Sequence, residues 1–274
     1  MTVELDIASL ANALQEAAAV EILPRFRNLG EGDVRIKTEA IDLVTEADEA
    51  AERLIRARVA EFMPDALFVG EEAVAADPSL LGKLGQADLA VVVDPIDGTF
   101  NFAAGLPLFG VMLSVISKGE TVAGLIYDPM GNDWVIAEKG SGAWLCSADG
   151  SQTQMSVVPP PELSQMVGIA NTGYFEGEVR RRLLNNLADV RLFTSYRCAA
   201  HEYRIFCGGH MHFLMYNKLM PWDHLAGTLI SQESGAYAAR LDGSPYLPHH
   251  VDGGLLLTAN EETWELLREK IFTV

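Results

Sequence analysis

Apolar positions along this chain recur with two different periods, and they divide it into helix-like and strand-like stretches. Over residues 3–26, Ala, Leu, Val and Ile return at helical intervals, which predicts an amphipathic helix ending near Pro24. Residues 34–37 read as a short strand. Residues 45–62 predict a second helix, charged along one face by Glu49, Glu52, Arg53 and Arg56 and stopped before Pro64. Residues 66–69 and 89–93 are unbroken apolar runs of strand length. Residues 77–85, with Pro78 and two glycines, read as a loop.

Residues 111–117, 122–127, 134–138 and 143–145 are strand candidates separated by Gly119, Asp128-Pro129, Gly131-Asn132 and Gly140. That spacing predicts an antiparallel meander. After Pro159-Pro160-Pro161 the texture changes. Strands at 167–170, 190–193, 212–215 and 255–259 alternate with helices at 176–187, 198–207, 222–234 and 261–272. Such alternation indicates mixed or parallel strands under helices. The chain therefore divides near residues 147–161 into an α+β half, 1–146, and an α/β half, 147–274.

Composition narrows the class. A chain of 274 residues with 49% hydrophobic content can bury a sizeable core, as one large domain or two fused halves. No run of about 18 apolar residues is free of charge, so no membrane span is predicted. The acidic N-terminus lacks the basic and apolar regions of a signal peptide. Cys146, Cys198 and Cys207 are odd in number and lack metal-ligand spacing, as in a cytoplasmic protein with reduced thiols. The net charge of −18 argues against general nucleic-acid binding. It would also repel a phosphate substrate, unless bound cations reverse the potential locally.

The candidate chemistry begins where the run 89–93 meets Asp94-Pro95-Ile96-Asp97-Gly98-Thr99. Pro95 removes a backbone donor and fixes φ, so the strand is expected to stop there. Two acids then stand at a strand mouth, with no Lys or Arg within ten residues on either side. A hard divalent cation such as Mg²⁺ is their natural partner. Taken alone, the segment reads equally as a turn with a side-chain cap. Neither an EF-hand nor an aspartyl-phosphate spacing is met. Three further segments share its setting: Gly70-Glu71-Glu72, Asp42-Leu43-Val44-Thr45-Glu46-Ala47-Asp48, and Asp223 in Pro221-Trp222-Asp223-His224. Each alone also reads as a solvated turn or a helix cap. Together they repeat one arrangement, an acid where a strand or loop ends.

These four segments, with Asn101-Phe102 after the second Asp, resemble the lithium-sensitive inositol monophosphatase family of metal-dependent phosphatases in order and spacing, over nearly the whole chain. The resemblance implies a layered α-β-α-β-α sandwich with an N-terminal antiparallel sheet half, a C-terminal mixed α/β half and a cleft between. It implies two or three Mg²⁺ ions. Asp94 would bridge, Glu71 and the Ile96 carbonyl would complete the first ion, and Asp97 and Asp223 the second; Glu71 would also touch a looser third. Thr99 and Glu71 would orient and deprotonate the attacking water, with Asp48 accepting the Thr99 hydroxyl. Backbone amides of Gly98 and Thr99 would cradle the phosphate. Glu72 is expected behind the ligands and Asp42 as a cap or loop anchor; Lys37 matches a loop lysine near the family's active site but, as a strand-end residue, is expected on the surface, and His224 is expected to pack or cap. Lithium inhibition and a homodimer are further implications.

The substrate pocket departs from the family pattern. Arg197-Cys198-Ala199 stands where members acting on inositol phosphates carry Gly-Thr/Ser-Ala, and Tyr216 stands where they carry a Glu. The contact of that Glu with a ring hydroxyl is therefore missing. Cys198 reads as a small packed residue. Arg197 reads either as an ion pair or as a ligand for a second anion. Tyr216, Asn217 and Lys218 are candidate pocket residues, as is Asp223. The expected activity is Mg²⁺-dependent hydrolysis of inositol monophosphate or a related small polyol or sugar phosphate. Fructose-1,6-bisphosphatase, histidinol-phosphate or nucleotide-phosphate activity is the alternative within the superfamily. A non-catalytic regulatory protein is the alternative outside it, disfavoured by an intact acid set.

Overall fold

The computed structural model describes residues 5–38 and 42–273; the expected helix start at Val3 lies outside them. Helix α1 (Ile7–Ala17) begins where the Asp6 carboxylate accepts the Ser9 amide at 3.0 Å. It passes into a π-helical turn at Ala18–Ile22, so the regular helix ends earlier than predicted. The hairpin β1 (Val34–Ile36) and β2 (Leu43–Thr45) leads into α2 (Glu46–Phe62). Next come β3 (Leu67–Gly70), α3 (Glu71–Ala76), α4 (Ser79–Leu84), β4 (Leu89–Asp97) and α5 (Thr99–Ala103). The meander follows as β5 (Gly110–Ser117), β6 (Glu120–Asp128), β7 (Asp133–Glu138), β8 (Ala143–Ser147) and β9 (Gln152–Gln154).

The remaining chain alternates β10 (Val167–Ala170), α6 (Gly177–Asn186), β11 (Leu192–Thr194), α7 (Ala199–Cys207) and β12 (Phe213–Tyr216). It closes with α8 (Pro221–Glu233), β13 (Tyr237–Arg240), β14 (Leu255–Thr258) and α9 (Glu261–Lys270).

One sheet runs β3-β4-β5-β6-β7-β8-β9, antiparallel except for the parallel β3–β4 pair. A second runs β11-β10-β12-β14-β13 and is mixed. Alternating side chains place both in layers. Val91, Val93, Val111 and Leu113 pack against Leu10, Leu14 and Ile55 of α1 and α2. On the opposite face, Met112 and Ile126 meet Tyr203, Phe206 and Ile230 of α7 and α8, which also cover Leu214 and Leu257 of the second sheet. Phe213 and Met215 point the other way, onto Leu183 of α6 and Trp264 and Leu267 of α9. The result is the expected α-β-α-β-α sandwich. Among the described residues no helix is long and apolar enough to cross a membrane.

Three local expectations are corrected. The loop at 77–85 contains α4, because Pro78 supplies helical φ at a helix start and Leu84 is buried. The strand expected to end at Val93 continues through Pro95 to Asp97. Its pairing with β5 shifts register between Asp94 and Asp97, and a proline is tolerated at such a bulge. The strand expected at 190–193 is displaced to Leu192–Thr194. Strands β9 and β13 carry no alternation long enough to be read from sequence.

Candidate active site

The bulge in β4 does more than admit Pro95. Residues three apart on a regular strand face opposite sides of a sheet. The register shift lets Asp94 and Asp97 turn toward one cleft instead. Pro221 starts α8, and its first turn delivers Asp223 to the same place. One carboxylate oxygen from each of the three lies within 4.8 Å of the others, and Asp94 and Asp97 are buried. Asp94 Oδ1 accepts the Ile96 amide at 3.0 Å. Asp97 Oδ2 accepts the Ala200 amide at 2.6 Å and the Cys198 thiol at 3.0 Å. Burial pushes all three carboxyls above their ordinary range. Glu71 and the neighbouring aspartates add to this at Asp94 and Asp223, while the Cys198 and Ala200 bonds oppose it at Asp97. None of the three pairs with a Lys or Arg among the described residues. Crowded hard oxygens lacking a protein cation fit a divalent ion such as Mg²⁺.

Lys37 corrects an expectation. It is not a surface residue. Its ammonium donates to Glu71 Oε1 at 2.8 Å and Glu72 Oε1 at 2.5 Å, with 15% of the side chain exposed. Burial alone would lower its pKa, but the two glutamates prevail and raise it. Glu71 thus lines the same cleft as the aspartates while standing outside their cluster. Burial and Glu71 push Glu72 up to about 7.

Glu52 corrects another. Placed by its period on the charged face of α2, it is nonetheless buried, and its carboxylate accepts the Glu72 and Ala73 amides, each at 2.8 Å. A Cβ on Gly70 would lie 2.3 Å from it, so the approach requires glycine. Helical periodicity alone does not separate Glu52 from Glu49.

Asp48 is placed by a capping box. Thr45 donates its amide and hydroxyl to Asp48 Oδ2 at 2.7 and 2.6 Å. Oδ1 is left to accept the Thr99 hydroxyl at 3.0 Å, a proton for which the Ile96 carbonyl competes at 2.9 Å. Burial pushes Asp48 up to about 7, against the Thr45 hydroxyl bond, which lowers it. Gly98, at φ 89°, turns the chain from β4 into α5, and a Cβ there would meet the Leu108 carbonyl at 2.9 Å. Asp42 faces the cleft and accepts the Thr38 hydroxyl.

The cleft has a volume of about 920 Å³, and Arg197, Cys198, Ala199, Tyr216, Asn217 and Lys218 line its other wall. Cys198 is buried, as expected. Arg197 forms no ion pair among the described residues; its guanidinium carbon sits 3.4 Å from the Phe100 ring centre. Tyr216 is buried, 4.5 Å from the His224 ring and 5.4 Å from Tyr203. Its hydroxyl lies beside the Glu202 carboxyl without good hydrogen-bond geometry, so both the hydroxyl and Glu202 Oε2 end unpaired. Glu202 was missed in the sequence; burial pushes it up to about 7. His224 packs as expected, bridging the Tyr203 hydroxyl and the Lys218 carbonyl, and burial pulls it down to about 3.

The inositol monophosphatase family model matches residues 5–271. The chain is similar to the fructose-1,6-bisphosphatase/inositol-1-monophosphatase of Thermotoga maritima, at 31% identity over 212 residues, 77% of this chain and 76% of that one. It is 29% identical over 261 residues to the inositol-1-monophosphatase of Mesorhizobium japonicum, covering 93% of this chain and 92% of the relative. Its fold matches that of the extragenic suppressor protein suhB from Bartonella henselae. The TM-score is 0.81 at 24% identity, with 97% of this chain and 98% of that one covered.

Proposed function

This chain belongs to the inositol monophosphatase family of phosphoric monoester hydrolases, and we propose that it hydrolyses a small polyol or sugar phosphate, inositol monophosphate among them, with Mg²⁺. The observation that carries this reading is the convergence of Asp94, Asp97 and Asp223, none of which forms an ion pair with a Lys or Arg among the described residues. Two or three ions would be held by these aspartates, Glu71 and the Ile96 carbonyl. Bound there, magnesium supplies an activated water and offsets the charge that builds on the phosphoryl oxygens.

The protein's own groups do the rest. By donating to Asp48, the Thr99 hydroxyl keeps its lone pairs free to accept a hydrogen from the attacking water. That fixes the water's orientation toward phosphorus. Glu71, steadied by Lys37, takes the second water proton. Amides of Gly98 and Thr99 bind phosphoryl oxygens. The cleft draws on both proposed halves, 1–146 and 147–274, because Asp223 comes from the second. Family membership also supports a cytoplasmic homodimer.

Phosphate release from inositol 1-phosphate and a panel of sugar phosphates, with and without Mg²⁺, tests the proposal. Release that requires the ion supports it. No release from any substrate overturns it in favour of a binding or regulatory role.

A further inference from the structure

Two cations in the cleft, Arg197 and Lys218, form no ion pair among the described residues. Arg197 has a φ of 55°, a left-handed conformation that costs a non-glycine residue and persists only where its surroundings enforce it. The enforcement is visible. The Arg197 amide donates to Ser195 Oγ at 3.2 Å, and the Ser195 hydroxyl reaches Asn171 Oδ1 at 2.8 Å. Glu202 Oε1 accepts the Tyr196 amide at 2.7 Å, and Asn101 donates to the Tyr196 carbonyl at 2.8 Å. The loop thus lays the guanidinium on Phe100, the neighbour of Thr99, at 3.4 Å from ring centre to Cζ. Stacking of this kind occupies the face of a guanidinium and leaves its N–H edges free to donate.

Lys218 is fixed as well. Its carbonyl contacts the His224 ring nitrogen at 2.9 Å, and its ammonium stands 5.6 Å from the Tyr174 ring centre. Both cations line the cleft that holds Asp94, Asp97 and Asp223. Neither meets a carboxylate within ion-pair distance among the described residues, in a chain with 38 acidic and 20 basic side chains. A polyol hydroxyl gains little from such donors over water, whereas an anion forms charge-assisted bonds with them. Tyr216, on the same wall, adds no negative charge that would repel an anion.

We propose that the preferred substrate is a phosphomonoester carrying a second anionic group, phosphate or carboxylate, and that Arg197 and Lys218 bind that group. This rests on the hydrolase reading above and names its substrate class.

The test compares matched pairs in Mg²⁺: fructose 1,6-bisphosphate against fructose 6-phosphate, and 3-phosphoglycerate against glycerol 3-phosphate. In wild type, kcat/KM should favour the doubly anionic member of at least one pair by about tenfold or more. That exceeds the twofold that two cleavable esters supply. Preference in the first pair alone identifies a phosphate, and in the second alone a carboxylate. In the Arg197→Ala/Lys218→Ala variant the ratio should fall toward one, and Arg197→Lys with Lys218 intact should retain most of it. No preference in either pair, or an equal loss on both members, overturns the proposal. If nothing is hydrolysed, the hydrolase reading falls, and calorimetric binding still decides this one. Tighter binding of the doubly anionic compound, lost in the double variant, supports it; equal affinities overturn it.

Discussion

Cys198 gives its thiol hydrogen to Asp97, Sγ to Oδ2 at 3.0 Å, across an interval of 101 residues. Burial, with Asp97 beside it, pushes the thiol well above its ordinary range, so it remains a donor. The Ala200 amide joins it on the same oxygen. Asp97 is therefore aimed from α7, and its other oxygen is left for a ligand. Groups that orient a metal ligand typically govern affinity by about 10- to 100-fold. Cys198→Ala should raise the Mg²⁺ concentration for half-maximal phosphate release by about tenfold. Cys198→Ser, which restores a donor, should stay near wild type.

Asp94 stands at the centre of the acid cluster, and its replacement should separate function from folding. Asp94→Asn should lower kcat by about two to three orders of magnitude, as loss of a preorganised charge does elsewhere. The same change removes a buried charge that Glu71, Asp97 and Asp223 oppose. The metal-free variant should therefore melt at or above the wild-type temperature, and calorimetry should show weaker Mg²⁺ binding. Near-normal turnover would exclude Asp94 from the ion site.

In the proposed reaction Thr99 would orient the attacking water and contribute little to substrate binding. Thr99→Ala should lower kcat by about a hundredfold with a much smaller change in KM. Thr99→Ser, which keeps the hydroxyl between Asp48 and the Ile96 carbonyl, should recover most of the rate. Steady-state kinetics on one substrate settles the comparison.

Stability should depend on pH in an unusual direction. Asp48 and Glu202 each titrate at about 7 in the folded chain, chiefly because they are buried. Unfolded, they titrate at about 4. Between those values the folded state holds more protons than the unfolded state, so stability is lost as pH rises. Without Mg²⁺ the melting temperature should therefore fall from pH 5 to pH 8, and the raised aspartates act in the same direction. Saturating Mg²⁺ should flatten the decline. Melting curves across that range, with and without the ion, would show a flat or rising profile if these acids were solvated.

Much of this architecture is written in local patterns. The Thr45-to-Asp48 capping box, the buried run of β4 and the turn residues of the meander are short-range signals, and the corresponding elements form where the pattern places them. The acids were legible because they sit at the ends of those elements. What escaped was set by tertiary contact. Glu52 looks like any charged helix residue until Glu72 and Ala73 offer it their amides. Lys37 looks exposed until Glu71 and Glu72 approach it. The unbroken passage of β4 through Pro95 depends on a partner strand able to absorb a bulge. Glu202 sits in a helix with no local mark of burial, and its role follows from the loop that packs on it.

The path of β4 also ties the acid cluster to folding fidelity. Val91 and Val93 face the α1–α2 layer, while Val92 faces α8. A slip of one residue would reverse every side chain beyond it and drive Asp94 into the aliphatic layer. The aliphatic side chains there offer it no partner, so such a misaligned strand would bury an unpaired acid. The acid proposed to hold the ion would thus also mark the correct register of its own strand, and replacing Asp94 by an apolar residue should let β4 misthread more often.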